Sequence, residues 1–225
     1  MKKIGFIGAF DKTDLILYVS KILVELKQKV LVIDTTITQK ARYNVPCIAP
    51  SKCYITEYEG IDVAVGFKTL DEIKQYLGNP EFDYDFLLID IDSNKEIYRM
   101  ELNSGCKNYF VTGFDSYSLK RGLEIIGQSQ DKIIMKKVLF SRHMLDEEDD
   151  YLNFLSFYYG VQWEKKKIYF PLEIGDETTI IENQRSSKIR FKELSEEYRE
   201  GLYLLASDVA TELSKGEIRR ILKDI

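Results

Sequence analysis

Apolar residues recur along this chain in two rhythms that alternate from one end to the other. Short, nearly unbroken apolar runs mark the first: Ile4, Phe6 and Ile7, then residues 29–34, 61–66, 82–90, 107–112 and 132–140. Such runs suit the strands of a parallel sheet, whose two faces are both covered. Between them, apolar side chains return every three or four residues, which is the period of a helix face. Leu15, Ile16, Val19, Ile22, Leu23 and Leu26 form one such stripe, and Leu194, Tyr198, Leu202, Leu205 and Val209 form another within residues 194–213. Two more helices are predicted, one from the capping-box pattern that begins at Thr69 and one over residues 116–127. Strands alternating with helices predict an α/β fold, a mostly parallel sheet with helices on both faces.

Some segments carry a weaker pattern. Residues 35–60, with Pro46 and Pro50, predict a loop and short pieces, and residues 167–171 a last short strand. An acidic run over residues 146–150 precedes Tyr151, Phe154, Phe157, Tyr158 and Tyr159. This predicts a helix with an acidic start and an aromatic core face, the alternative being a partner-binding surface. Residues 1–214 read as a single domain and residues 215–225 as a short amphipathic tail. In that tail Ile218, Ile221, Leu222 and Ile225 share one helical face, and Lys215, Arg219, Arg220 and Lys223 supply the polar side.

Composition narrows the picture further. A chain of 225 residues is long enough to bury a sizeable core in one α/β domain. The net charge is −5, so no nucleic-acid partner is expected. Cys47, Cys53 and Cys106 match no zinc or redox spacing and read as reduced thiols, and the apolar runs are too short to span a bilayer. A cytoplasmic protein is the expectation. A lone histidine, His143, speaks against triad chemistry.

The candidate chemistry sits at the first turn. Strand residues 4–7 run into Gly8, Ala9, Phe10 and Asp11, then Lys12 and Thr13, then the first helix. That is the layout of a phosphate-binding loop, in which backbone N–H groups curl around phosphate oxygens, a lysine neutralises charge and a Ser/Thr hydroxyl reaches Mg²⁺. Lys12 and Thr13 are in place, but only Gly8 remains of the loop glycines, since Phe6 and Asp11 occupy the other two positions. A carboxylate at Asp11 would repel a phosphate by roughly 4 kcal/mol at about 4 Å and an effective dielectric of about 20. Two further strands end in carboxylates, Asp34 and Asp90. The four apolar residues ahead of Asp90 have the form of a strand whose carboxylate holds the water shell of Mg²⁺.

Taken in order, these pieces resemble the MinD/ParA family of deviant Walker A P-loop ATPases. Residues 29–34 look like that family's second strand, residues 84–90 like its Walker B strand, and residues 170–185 like its late strand and the acidic, glutamine-containing helix start beyond it. The resemblance implies a nucleotide site at Gly8, Asp11, Lys12, Thr13 and Asp90, with ATP as cofactor, Thr13 and Asp90 near Mg²⁺, and Asp34 as a possible catalytic carboxylate. It also implies where the chain departs from the family. The signature lysine that reaches across a dimer is Ile7 here, and the second acid expected two residues after Asp34 is Thr36.

With those departures, the resemblance implies a degenerate, TadZ/CpaE-like member. Such a protein would be a pseudo-ATPase or weak nucleotide binder that localises or assembles a pilus, secretion or division apparatus, with protein partners and a homodimer. The alternative is an active, Mg-ATP-dependent dimeric switch. A metabolic ligase of similar fold lacks any visible substrate motif. The tail resembles the membrane-targeting helix of MinD, which would place Ile218, Arg219, Arg220, Ile221, Leu222, Lys223 and Ile225 at the inner face of a membrane. Docking on the chain's own domain or on a partner is the favoured alternative.

Overall fold

A computed structural model describes residues 1–48, 51–102, 105–127, 132–143 and 145–225. Eight strands form one sheet in the order β3-β4-β2-β5-β1-β6-β7-β8. In chain order they are β1 (Lys2–Ile7), β2 (Val30–Asp34), β3 (Tyr54–Tyr58), β4 (Ile61–Val65), β5 (Phe86–Ile91), β6 (Lys107–Thr112), β7 (Ile133–Ser141) and β8 (Val161–Pro171). Every neighbouring pair is parallel except β3 with β4. The helices are α1 (Thr13–Glu25), α2 (Ala41–Asn44), α3 (Leu70–Leu77), α4 (Asn94–Arg99), α5 (Ser116–Ile126), α6 (Asp146–Leu155), α7 (Ile174–Ser186), α8 (Glu196–Val209) and α9 (Lys215–Asp224).

The continuous apolar runs divide between two cores because successive strand side chains point to opposite faces. Val30, Val32, Phe86 and Leu88 join α1, α8 and α9 on one face, while Leu31, Ile33, Leu87, Ile89 and Ile91 join α3, α4, α5 and α6 on the other. Asp90 shares the parity of Leu88, so its carboxylate faces the side on which α1 starts. Pairing sets Phe6 and Asp34 on either side of Asp90. The carboxyl ends of β1, β2 and β5 therefore meet, which is where open α/β sheets present ligand sites.

The structure departs from the sequence reading in several places. Residues 35–60 hold α2 and the edge strand β3, which returns to β4 through a two-residue turn. Glu59 and Gly60 in that turn both have positive φ, 54° and 84°, the left-handed pair that a tight hairpin favours. Pro50 lies outside the described residues. The last strand starts at Val161 rather than residue 167; its lysine-rich middle masked it, as charges on an edge strand do. Within residues 170–185 the helix starts at Ile174, and α4 carried too few apolar positions to show a period.

Of the aromatic core face expected after residue 145, only Tyr159 packs against the core. Only Leu152 of α6 is fully buried, while Tyr151, Phe154, Phe157 and Tyr158 are exposed. The inner face of α6 holds Leu152, the partly buried Leu155 and a set of ion pairs. Lys137 reaches Asp149, and Lys167 reaches both Asp146 and Asp149.

At the end of the chain, α9 carries its apolar side into the first core. Ser195 and Ser214 cap α8 and α9 through their hydroxyls. Ile218, Ile221 and Leu222 are buried together with residues of α1 and α8, and Ile225 packs partly against them. On the outer side Arg219 stacks over Tyr203, 3.8 Å from the ring centre, and pairs with Glu200. Ile218→Ala should therefore cost about 2–4 kcal/mol in chemical denaturation, as truncation of a packed core residue does. A cost near zero would mean that the helix is undocked in solution.

Candidate functional site

The first turn is built around one glycine. Gly8 follows β1 with φ 152°, and a Cβ there would lie 2.2 Å from the Val111 carbonyl oxygen, so no larger residue fits. Its N–H donates to the Ile91 carbonyl at 3.1 Å, which ties the turn to β5. From Gly8 the chain crosses Ala9, Phe10 and Asp11 and enters α1 at Thr13, whose first turn points its N–H groups toward the strand ends. A helix start of this kind attracts anions.

The anion present there belongs to the chain itself. Asp11 Oδ1 accepts a hydrogen bond from the Thr13 N–H at 3.3 Å, and the same carboxylate pairs with Lys40. Lys12 turns inward, donating to the Gly8 carbonyl at 3.0 Å and lying 2.7 Å from Asp90 Oδ1. Lys12 and Asp90 are 3% and 2% exposed, so this pair is closed to water. Thr13 Oγ1 donates to Asp90 Oδ2 at 3.2 Å. Gly8, Lys12, Thr13 and Asp90 are thus brought into one cluster, with Asp11 at its rim.

Asp34 stands apart in role. It is buried beside Asp90, but its carboxylate accepts from the Thr36 N–H and hydroxyl at 2.9 and 2.6 Å and from the Ala41 N–H at 3.0 Å. Those bonds fix the turn that leads into α2, and Asp34 is not in the wall of the cavity beside Lys12. Ile7 is fully buried within β1.

That cavity has a volume of about 330 Å³ and is walled by residues 8–13, Thr36, Ile37, Thr38, Lys40, Asp90, Asp92, Tyr117 and Arg121. Three carboxylates in the wall face three cations, a formal balance of zero. Each of those cations has a carboxylate partner within the chain: Lys12 with Asp90, Lys40 with Asp11, and Arg121 with Glu124. The set therefore only partly fits a magnesium nucleotide. The backbone turn and the Thr13–Asp90 pair match such a ligand, whereas the placement of Asp11 opposes its phosphates. Among the described residues no group of three or more His, Cys, Asp or Glu side chains is arranged to hold a metal ion.

A second cavity, about 410 Å³, adjoins the first and shares Phe10 and Asp11 with it. Its walls are more apolar, with Leu15, Phe140, Pro171, Leu172 and Ile180 among them. Phe10 stacks on Phe140 with ring centres 4.7 Å apart, and Phe140 on Phe170 at 5.1 Å. In this cavity's wall, Asp14 accepts two hydrogen bonds from Gln184 of α7, both at 2.9 Å, and one from Asn44 of α2 at 3.4 Å.

Sequence reasoning missed Lys40, Asp92, Tyr117, Arg121 and Asp14. Asp92 carried a faint signal, two residues past Asp90 and just beyond the end of β5. Lys40 carried none, because it is 29 residues from Asp11 and meets it only through the fold.

Burial raises the pKa of both Asp90 and Asp14 to about 6, against the lowering effects of Lys12 on the one and Gln184 on the other. A carboxyl whose folded pKa is raised contributes stability that is present below about pH 4 and is lost as pH rises through about 6. Asp14→Asn cannot ionise, so it never places a charge in the buried site. It should therefore gain on the wild type by about 2 kcal/mol between pH 4 and pH 7.5 in chemical denaturation. A difference that does not change with pH would show that Asp14 titrates normally.

No protein-family model matches this sequence, and no curated protein does. Solved structures do match its fold. A ParA family ATPase from Chlorobium tepidum superposes with a TM-score of 0.56 at 13% identity, over 100% of this chain and 96% of that one. A chain of the MinC:MinD cell division protein complex of Aquifex aeolicus gives 0.54 at 15% identity, covering 100% and 97%. A protein of Borrelia burgdorferi described as a plasmid partition protein, bound to AMPPNP, gives 0.52 at 12% identity, covering 100% and 99%. The chain therefore has the fold of the ParA and MinD P-loop ATPases.

Proposed function

We propose that this chain is a ParA/MinD-fold protein, of the TadZ/CpaE-like kind, whose phosphate site is satisfied from within. In this reading it binds Mg-ATP weakly, turns it over poorly and acts through protein contacts. Its role is to localise or assemble a larger apparatus, such as one for pilus formation, secretion or division. The carrying observation is that Lys12, Lys40 and Arg121 each already hold a carboxylate, with Asp11 lying at the start of α1. Phosphoryl transfer depends on positioned positive charge around the phosphates, and here little remains uncompensated. The Aquifex MinD fold occurs in a complex with a division protein, which supports a role exercised through partners.

A second reading is an active Mg-ATP-dependent dimeric switch. It is favoured by the two adjoining cavities and by Lys12, Thr13 and Asp90 standing together at the loop. Peripheral membrane contact through α9 has less support, since its apolar side chains are already buried in the domain.

Calorimetric titration with ATP and Mg²⁺ separates the two readings. The wild type should show no binding tighter than about millimolar, while Asp11→Asn, which keeps an acceptor for the Thr13 N–H and removes the charge, should bind at least about tenfold tighter. Micromolar binding by the wild type, abolished in Lys12→Ala, would overturn the first reading in favour of the switch.

A further inference from the structure

The outer side of α6 presents side chains that the fold does not use. The helix is held from within by Leu152, by Asp149 with Lys137 and Lys167, and by Trp163 Nε1 donating to Ser156 Oγ at 2.8 Å just past its end. Its outward stripe runs Glu147, Tyr151, Phe154, Tyr158, a spacing of four, three and four residues that continues one face into the short 3-10 turn Ser156–Tyr158. Phe154, Phe157 and Tyr158 are 76%, 76% and 78% exposed and Tyr151 is 50% exposed. Phe157 and Tyr158 meet edge to face with centres 5.2 Å apart. Four rings at these exposures offer on the order of 500 Å² of aromatic surface, as large as the largest apolar patches that monomers usually leave bare.

The acidic run sorts itself around this patch. Asp146 and Asp149 pair with Lys167, and Glu148 accepts from the Ser141 hydroxyl. Glu147 and Asp150 point outward beside the rings and have no ion-pair partner among the described residues. From this we infer that the outer face of α6 docks a basic amphipathic helix of another protein. That helix sets its apolar side chains on Tyr151, Phe154, Phe157 and Tyr158 and its lysines or arginines against Glu147 and Asp150. An anionic bilayer or a nucleic acid would meet those two carboxylates as like charges, which disfavours both. An interface of about 500 Å² per side lies at the small, transient end of the range, so micromolar affinity is expected. The inference does not rest on whether the distant phosphate site binds nucleotide.

The test uses the full chain and a synthetic amphipathic helical peptide of leucine and lysine, followed by fluorescence anisotropy. A leucine and glutamate peptide of the same pattern serves as control. The lysine peptide should bind, and Phe154→Ser with Phe157→Ser should weaken it at least about tenfold, as loss of aromatic anchors does. Glu147→Lys with Asp150→Lys should weaken it at least about threefold and flatten its dependence on salt. All four positions are exposed, so both double variants should keep the wild-type circular dichroism and melting temperature.

Equal binding of the two peptides, or lysine-peptide binding that neither double variant weakens, would overturn the inference. So would co-sedimentation with phosphatidylglycerol vesicles that the Phe154→Ser, Phe157→Ser variant loses, which would assign the face to a membrane. Dimerisation that this variant abolishes in sedimentation velocity would likewise overturn it, by assigning the face to a second copy of the chain.

Discussion

The contact between Lys12 and Asp90 is the constraint on which the rest of the site depends. Two opposite charges lie 2.7 Å apart with almost no exposure, one at the end of the turn after β1 and one on β5. Removing both ions from water is costly, and the pair is tolerated because each is held by further bonds: Lys12 by the Gly8 carbonyl, Asp90 by the Thr13 hydroxyl. Those bonds fix the turn against the sheet and direct the start of α1. Gly8 is required there because the turn passes within reach of the Val111 carbonyl.

From that pair outward, the charges compensate one another in layers. Asp11 lies at the helix start and is answered by Lys40, and Arg121 across the cavity is answered by Glu124. Asp34 is drawn into the turn that forms α2. The fold is that of the ParA and MinD ATPases, and the carboxyl ends of β1, β2 and β5 meet beside the pair of Lys12 and Asp90. At the mouth of the cavity local carboxylates stand opposite the cations.

Much of the fold was legible in the sequence because buried parallel strands must be continuously apolar and helices must show a face. β1, β2, β4, β5, β6, β7, α1, α5 and α8 all followed from that rule to within a few residues. The edge strand β3 did not, and of β8 only its end, residues 167–171, did. β3 has one solvated side and β8 carries Gln162, Glu164, Lys165, Lys166 and Lys167, so neither has the apolar run of a central strand. The aromatics after residue 150 misled for a related reason, since large rings are usually buried and nothing local shows that Leu152, Leu155 and Tyr159 face inward while the other rings do not. The grouping of Gly8, Lys12 and Thr13 lies in one stretch of sequence, whereas Lys40 meets Asp11, and Gln184 meets Asp14, only through tertiary contact.

A double-mutant cycle on Lys12 and Asp90 tests most directly whether this buried pair organises the turn. Lys12→Met alone and Asp90→Leu alone each strand one buried charge and should cost about 3–5 kcal/mol, while the double variant should cost at least about 2 kcal/mol less than their sum. Costs that simply add would contradict the account, by showing that the two charges are solvated independently in the folded protein.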